Sequence, residues 1–270
     1  MERTGLSLLQ GIQLWESAME DAHDDVTAYF AWEEVLCRRV GQGHPPVVHL
    51  WRHPDAFVVG LRDRRLPQAE TAMQRIRSGG TSVCVRPSGG AAVPLNPGVL
   101  NVSLIIPNPP GRLDIHEDFR LMVDLISRSL APWSEAARAG EIAGAFCPGD
   151  YDVSIEGRKF CGIAQRRQAK ALIVSAFIIV EGSGDALADQ VRGFYDEASA
   201  GGAEGYPDVR SGTMASLQEL AGVSSVRAYQ ASLFRLLQEE AGARLLLQEP
   251  SVPIDEVQVM TEKLRLRYDV

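Results

Sequence analysis

Apolar residues recur along this chain in two periods, and the switches between them predict its elements. From Thr27 to Val40 the helical period holds, with Val26, Phe30, Leu36, Cys37 and Val40 on one broad face. Asp24 and Asp25 are candidate N-caps, and Arg38 and Arg39 suit the C-terminal end before Gly41. Val47–Trp51 and Phe57–Leu61 read as strands, with His53-Pro54-Asp55 turning between them. Pro67 starts a short helix that stops at Gly79-Gly80. Thr81–Arg86 alternates as a strand, Pro87-Ser88-Gly89-Gly90 breaks it, and Ala91–Leu95 and Val99–Ile106 resume extended structure.

The second half changes character. His116–Trp133 is amphipathic, with Phe119, Met122, Val123, Ile126 and Leu130 at helical spacing. Tyr151–Ile155 and Arg158–Ile163 flank a hairpin turn at Glu156-Gly157. Ala171–Val180 is a long apolar run, about half of what a bilayer span needs, and so reads as a buried strand. After Gly182-Ser183-Gly184 the pattern is helical over Ala186–Ala198, Met214–Ala221, Val226–Ala241 and Glu256–Tyr268, with a loop at Gly201, Gly202 and Gly205. This order, with many hairpin-length connections and no repeat, predicts a single α+β domain over residues 1–270 around a largely antiparallel sheet flanked by helices.

Composition narrows the classes. The 270 residues are 45% hydrophobic and 23% charged, ordinary for a globular chain with a real core. A net charge of −8 opposes an extended nucleic-acid footprint. Met1-Glu2-Arg3 and the acids Glu16, Glu20, Asp21, Asp24 and Asp25 do not make a secretory signal, so a cytoplasmic protein with no membrane association is expected. Cys37, Cys84, Cys147 and Cys161 form neither a disulfide framework nor a zinc set. His23, His44, His49, His53 and His116 show no ligand spacing, so no metal is expected.

Three features could carry chemistry. Arg86-Pro-Ser-Gly-Gly-Ala-Ala-Val93, followed by Gly98-Val-Leu-Asn101, puts paired glycines behind a strand, where backbone N–H groups can approach a ligand; a tight hairpin turn would use the same residues. It is not a P-loop, since no Gly-Lys-Ser/Thr follows. Cys147 stands on a turn in Phe146-Cys-Pro-Gly149, whereas the other three cysteines sit in patterned elements and read as core thiols. A turn predicts partial exposure, which suits a nucleophile. Lys159, across the hairpin from Asp152, is one of only three lysines with Lys170 and Lys263. It reads either as a surface lysine or as one held inward and aimed at a carbonyl oxygen.

Taken together, four segments resemble the lipoate/biotin protein ligase and octanoyltransferase superfamily. They are Arg86–Val93, Gly98-Val-Leu-Asn-Val-Ser103, Gly149-Asp-Tyr-Asp-Val-Ser154 and Gly157-Arg-Lys-Phe-Cys-Gly-Ile-Ala-Gln-Arg-Arg167. The resemblance runs from about Ala31 to Ala198. With Phe146–Gly149, Tyr206-Pro-Asp-Val-Arg210 and Met214-Ala-Ser-Leu217 it is similar to the lipoyl amidotransferase branch, which moves octanoyl groups from glycine cleavage H protein. It implies a biotin/lipoate ligase-like catalytic fold, with Cys147 as nucleophile through a thioester and Lys159 contacting the acyl carbonyl. It also implies acyl or substrate contacts at Arg86, Ser88, Gly89, Gly90, Ala91, Asn101, Gly149, Asp152, Gly162 and Gln165. The donor would be glycine cleavage H protein and the acceptors lipoyl domains of 2-oxoacid dehydrogenase complexes. No cofactor is implied beyond the octanoyl or lipoyl group as transferred substrate.

Two departures matter: Ala91 stands where ATP-using ligases commonly have a third glycine, and Cys161 where relatives often have alanine. Ala91, Cys147 and the length of chain weigh against an ATP-dependent lipoate ligase. An octanoyltransferase fed by acyl carrier protein is the alternative, and a non-catalytic lipoyl-domain binder would not need Cys147 and Lys159. An apolar, closed-end tunnel would select chain length. Acidic lipoyl domains would need a local basic face, for which Arg62, Arg64, Arg65, Arg158, Arg166 and Arg167 are candidates.

Overall fold

A computed structural model describes residues 6, 9–19, 24–109, 114–202 and 205–269. His23, Glu20, Asp21 and the Met1-Glu2-Arg3 opening lie outside them. An eight-stranded sheet runs in the order β11 (Arg244–Leu245), β1 (Gln13–Glu16), β2 (Val47–Trp51), β6 (Val99–Pro107), β10 (Ala171–Ile179), β9 (Arg158–Arg167), β8 (Val153–Ile155) and β7 (Arg138–Ala139). A smaller sheet runs β4 (Ser82–Val85), β3 (Ala56–Val59), β5 (Val93–Leu95). Pairing is antiparallel except at β1–β11, β1–β2 and β3–β4, so the α+β expectation with a largely antiparallel sheet holds.

Strand alternation sorts the core. Leu100, Val102, Leu104 and Ile106 of β6 share one face with Leu172, Val174, Ala176 and Ile178 of β10. That face is covered by α3 (Ile115–Leu130) and α6 (Val226–Ala241). On the opposite face, Val47, Ile105 and Ile173 pack under α1 (Thr27–Val40), while Val99, Phe177 and Ile179 pack against the small sheet, α2 (Ala69–Ser78) and α4 (Gly184–Ala198). Between those two apolar patches the same face carries Asn101, Ser103 and Ser175, and there a cavity opens. α7 (Ile254–Leu264) packs on the outer side of α1 through Met260 and Leu264.

Several boundaries differ from the sequence reading. α1 is capped at Val26 without a side-chain bond, and Asp25 instead accepts from the Thr27 N–H at 2.9 Å. β9 continues four residues past Ile163. The helix expected over Met214–Ala221 shrinks to α5 (Leu217–Ala221), because Met214 and Ala215 run extended beside Lys159. The last helix ends at Leu264 and continues as a π-helical turn over Arg265–Asp269. Among the described residues, no helix is long and apolar enough to cross a membrane.

Candidate active site

Cys147 and Lys159 come together, but neither is exposed. Cys147 is 7% exposed rather than open on its turn, and Lys159 is fully buried, which excludes the surface-lysine reading. A β-bulge explains how Lys159 reaches the site. Ser154 pairs with Lys159 but Val153 with Cys161, so β9 carries one extra residue at Phe160. Phe160 and Cys161 therefore both join the α3 side of the core, and Lys159 and Gly162 fall on the other face together. Gly162 must be glycine, since a Cβ there would stand 2.5 Å from the Phe177 ring and 3.2 Å from Lys159 Nζ.

Lys159 Nζ donates to the main-chain carbonyls of Phe146 at 2.8 Å and Cys147 at 2.5 Å, and pairs with Asp152 Oδ2 at 2.8 Å. It thus meets carbonyl oxygens, but those of the Cys147 segment itself. These bonds hold Cys147 in a left-handed backbone conformation with φ of 48°, rare for a side-chain-bearing residue. The Gly149 N–H also donates to Asp152 Oδ2, at 3.1 Å. Burial pushes the Asp152 carboxyl up to about 6, against the pull of Lys159.

The glycine loop supplies the opposite wall. Arg86 Nη2 donates to Cys147 Sγ at 3.1 Å, and the Ala91 N–H approaches the same sulfur at 3.3 Å. Arg86 also bonds the Ala91 carbonyl. Gly90 has φ of 104°, and a Cβ on it would stand 2.4 Å from the Arg86 guanidinium and 3.0 Å from Sγ. Two donors aimed at one sulfur suit negative charge there, or on an oxygen formed beside it. Cys37, Cys84 and Cys161 are core thiols as expected. Burial pushes Cys37 up to about 12 and Cys161 well above its ordinary range.

From Cys147, Arg86 and Ser88 a narrow cavity of about 40 Å³ runs across Gly162, Phe177 and Asn101 to Ser103, Ser175 and Glu33. Its far end is not the apolar stop expected from the sequence. Glu33 is buried there, accepting from Trp51 Nε1 at 3.1 Å and paired with His49 Nδ1 at 2.9 Å. The hydroxyls of Ser103 and Ser175 lie 3.0 Å apart beside it. Sequence reasoning missed Glu33, although two acids between Trp32 and Val35 in an apolar helix were the available signal.

The remaining sequence-derived residues divide. Gly89, Gly90 and Ala91 border a groove outside the loop, shared with Arg62, Asp63, Pro148 and Tyr206. Gly149 and Asp152 lie behind Cys147. Gln165 does not reach the cavity; it donates to Asp118 of α3 at 2.9 Å, from the other face of β9. Arg166 is tied to Glu34 at 2.8 Å, and Arg167 to Asp118, so neither is spare surface charge. Among the described residues, no three His, Cys, Asp or Glu side chains are grouped to hold a metal.

A family model for the lipoyl protein ligase A/B catalytic domain matches residues 25–235. The chain belongs to that family. Within it, the chain is 40% identical over 222 residues to an octanoyl-[GcvH]:protein N-octanoyltransferase of Geobacillus kaustophilus, covering 81% of this chain and 78% of the relative. The Anoxybacillus flavithermus enzyme of the same name is 40% identical over 231 residues, covering 84% and 82%. The lipoyl ligase A/B family also supplies the fold. A lipoate-protein ligase A crystallised with ATP superposes with a TM-score of 0.71 at 20% identity, over 97% of both chains. The Thermoplasma acidophilum putative lipoate protein ligase with bound lipoic acid gives 0.68 at 19%, again over 97% of both. This chain is an acyltransferase of the family, and its fold is the ligase-like fold expected.

Proposed function

We propose that this acyltransferase moves an octanoyl group from the lipoyl lysine of glycine cleavage H protein to the lipoyl domains of 2-oxoacid dehydrogenase complexes, through a thioester on Cys147. The observation that carries it is a cysteine sulfur between two donors, Arg86 Nη2 and the Ala91 N–H, at the end of a narrow cavity. The names of its relatives support the donor.

In the first half-reaction Sγ attacks the amide carbonyl carbon. A C–S bond forms, the C–N bond breaks, and the lysine amine leaves with the proton the thiol gave up. Arg86 and the Ala91 N–H face the charge on sulfur and on the carbonyl oxygen. The Lys159–Asp152 pair keeps the Cys147 main chain in its strained turn. In the second half-reaction an acceptor lysine amine attacks the thioester: a C–N bond forms, the C–S bond breaks, and the proton the amine gives up returns to the sulfur. An amide is exchanged for an amide, so no ATP and no cofactor are needed, and the work takes place in the cytoplasm beside both partners. Burying about seven acyl carbons contributes at most roughly 5–6 kcal/mol at ~0.8 kcal/mol per methylene.

The test is intact mass of the protein after incubation with octanoyl H protein, without ATP. A gain of one octanoyl group, absent in Cys147→Ala, is the expected result. Labelling only from octanoyl acyl carrier protein would replace the donor, and transfer only on adding ATP would overturn the reading.

A further inference from the structure

Beneath the glycine loop lies a buried polar pair that the chemistry above does not use. Ala91 and Ala92 are neighbours, and their N–H groups point to opposite sides. The Ala91 N–H faces Cys147 Sγ, and the Ala92 N–H donates to the Tyr195 hydroxyl of α4 at 3.3 Å. That hydroxyl neighbours the carboxyl of Asp63, which acts on it electrostatically and accepts from the Gly60 N–H at 3.0 Å. Gly60 is pressed against the loop: a Cβ there would stand 2.3 Å from the Gly90 carbonyl oxygen and 2.9 Å from Ala91 Cα. Tyr195 is 1% exposed, in one apolar cluster with Phe57, Val191 and Phe194, and Asp63 is 3% exposed, at the inner side of the groove bordered by Gly90 and Ala91.

An apolar pair would pack in such surroundings without the penalty of burying a carboxyl and a phenol. What the polar pair adds is direction. It anchors one side of the Ala91–Ala92 peptide, while the close approach of Gly60 fixes its height. We infer that Asp63 and Tyr195 are positioning residues, which hold the Gly90–Ala92 backbone so that the Ala91 N–H meets the Cys147 sulfur and the oxyanion on the carbon to which that sulfur adds. Burial keeps the Tyr195 hydroxyl protonated across the working range, so it stays a neutral acceptor for the Ala92 N–H beside the Asp63 carboxyl.

This inference rests on the thioester reading, and two measurements keep the two apart. The first is kcat and KM for octanoyl thioester formation. The second is the rate of Cys147 alkylation by iodoacetamide at pH 7, which needs no acyl donor. Tyr195→Phe is expected to lower kcat roughly tenfold to hundredfold, with KM little changed, and to slow alkylation. Asp63→Asn, which can still accept from Gly60, should stay near the native rate, and Asp63→Ala should match Tyr195→Phe. A lower melting temperature with kcat and alkylation unchanged overturns the inference, as does equal loss in Asp63→Asn and Asp63→Ala. If the native protein forms no thioester with any donor, the functional reading fails, and alkylation still decides the role of the pair.

Discussion

Asp152 and Lys159 form a buried ion pair directly behind Cys147. The Asp152 carboxyl holds its proton to about pH 6, above its ordinary 3.8, because burial outweighs the nearby ammonium. The folded chain therefore binds that proton more tightly than the unfolded chain. Its contribution to stability is fully present below about 3.8 and is lost as pH rises through about 6. Activity should run the other way. As pH falls through about 6 the Lys159 ammonium loses its counter-charge, and its grip on the Cys147 carbonyl is no longer balanced. We predict an acid limb near pH 6 in kcat for thioester formation, absent in Asp152→Asn. The same limb in that variant would show that another group titrates. At this scale the sequence disclosed Cys147 and Lys159 through their surroundings, but not their burial. Exposure depends on the glycine loop and on residues 213–215, which reach them from far along the chain.

Elements built on local patterns were legible: α1, α3, α4 and α6 and the long strands follow apolar periodicity. The hairpin was too, since Glu156 and Gly157 both have positive φ, the geometry a two-residue turn requires. The strands β7 and β11 were not, because two residues carry no period, and β1 was not set apart from the apolar residues before it. Nor was the bulge at Phe160, which only pairing with β8 defines. α5 shows how a local signal can be overridden. Ser216 and Glu219 form a capping box, which starts the helix at Leu217 and leaves Met214 and Ala215 free to pair with Lys159. Ser216 also donates to the Gly182 carbonyl at 2.7 Å, tying the cap to the end of β10. Ser216→Ala should destabilise the fold by about 1–2 kcal/mol, read from urea denaturation. A change within a few tenths would mean that the cap is redundant.

For the whole molecule, the charge of −8 requires a local positive region if the partners are acidic. Arg166 and Arg167 cannot provide it, being tied to buried carboxylates. Arg62 and Arg65 are exposed, and Arg62 lines the groove beside Gly89 and Gly90. Reversing both, Arg62→Glu with Arg65→Glu, should slow transfer at low salt and flatten its salt dependence. Reversing the exposed Arg227 instead should leave both unchanged. Equal effects from the two surfaces would remove any case for a docking face at the groove. The fold class was readable because the order of strands and helices limits the layers they can form. Which charges remain available was not, because pairing with Glu34 and Asp118 depends on the assembled sheet.

With the acyl chain seated in the cavity as proposed, the polar end turns it into a ruler with a soft stop. Rows of side chains across the sheet are about 7 Å apart, and one row separates the Asn101–Phe177 level from Ser103 and Ser175. Up to that row each methylene added to the acyl group should raise affinity about fourfold, the equivalent of ~0.8 kcal/mol. Past it, a methylene meets two hydroxyls and a carboxylate already engaged with His49 and Trp51. Hexanoyl, octanoyl and decanoyl donors should therefore give kcat/KM values that climb and then fall. A continued climb to decanoyl would place the end of the ruler beyond Glu33.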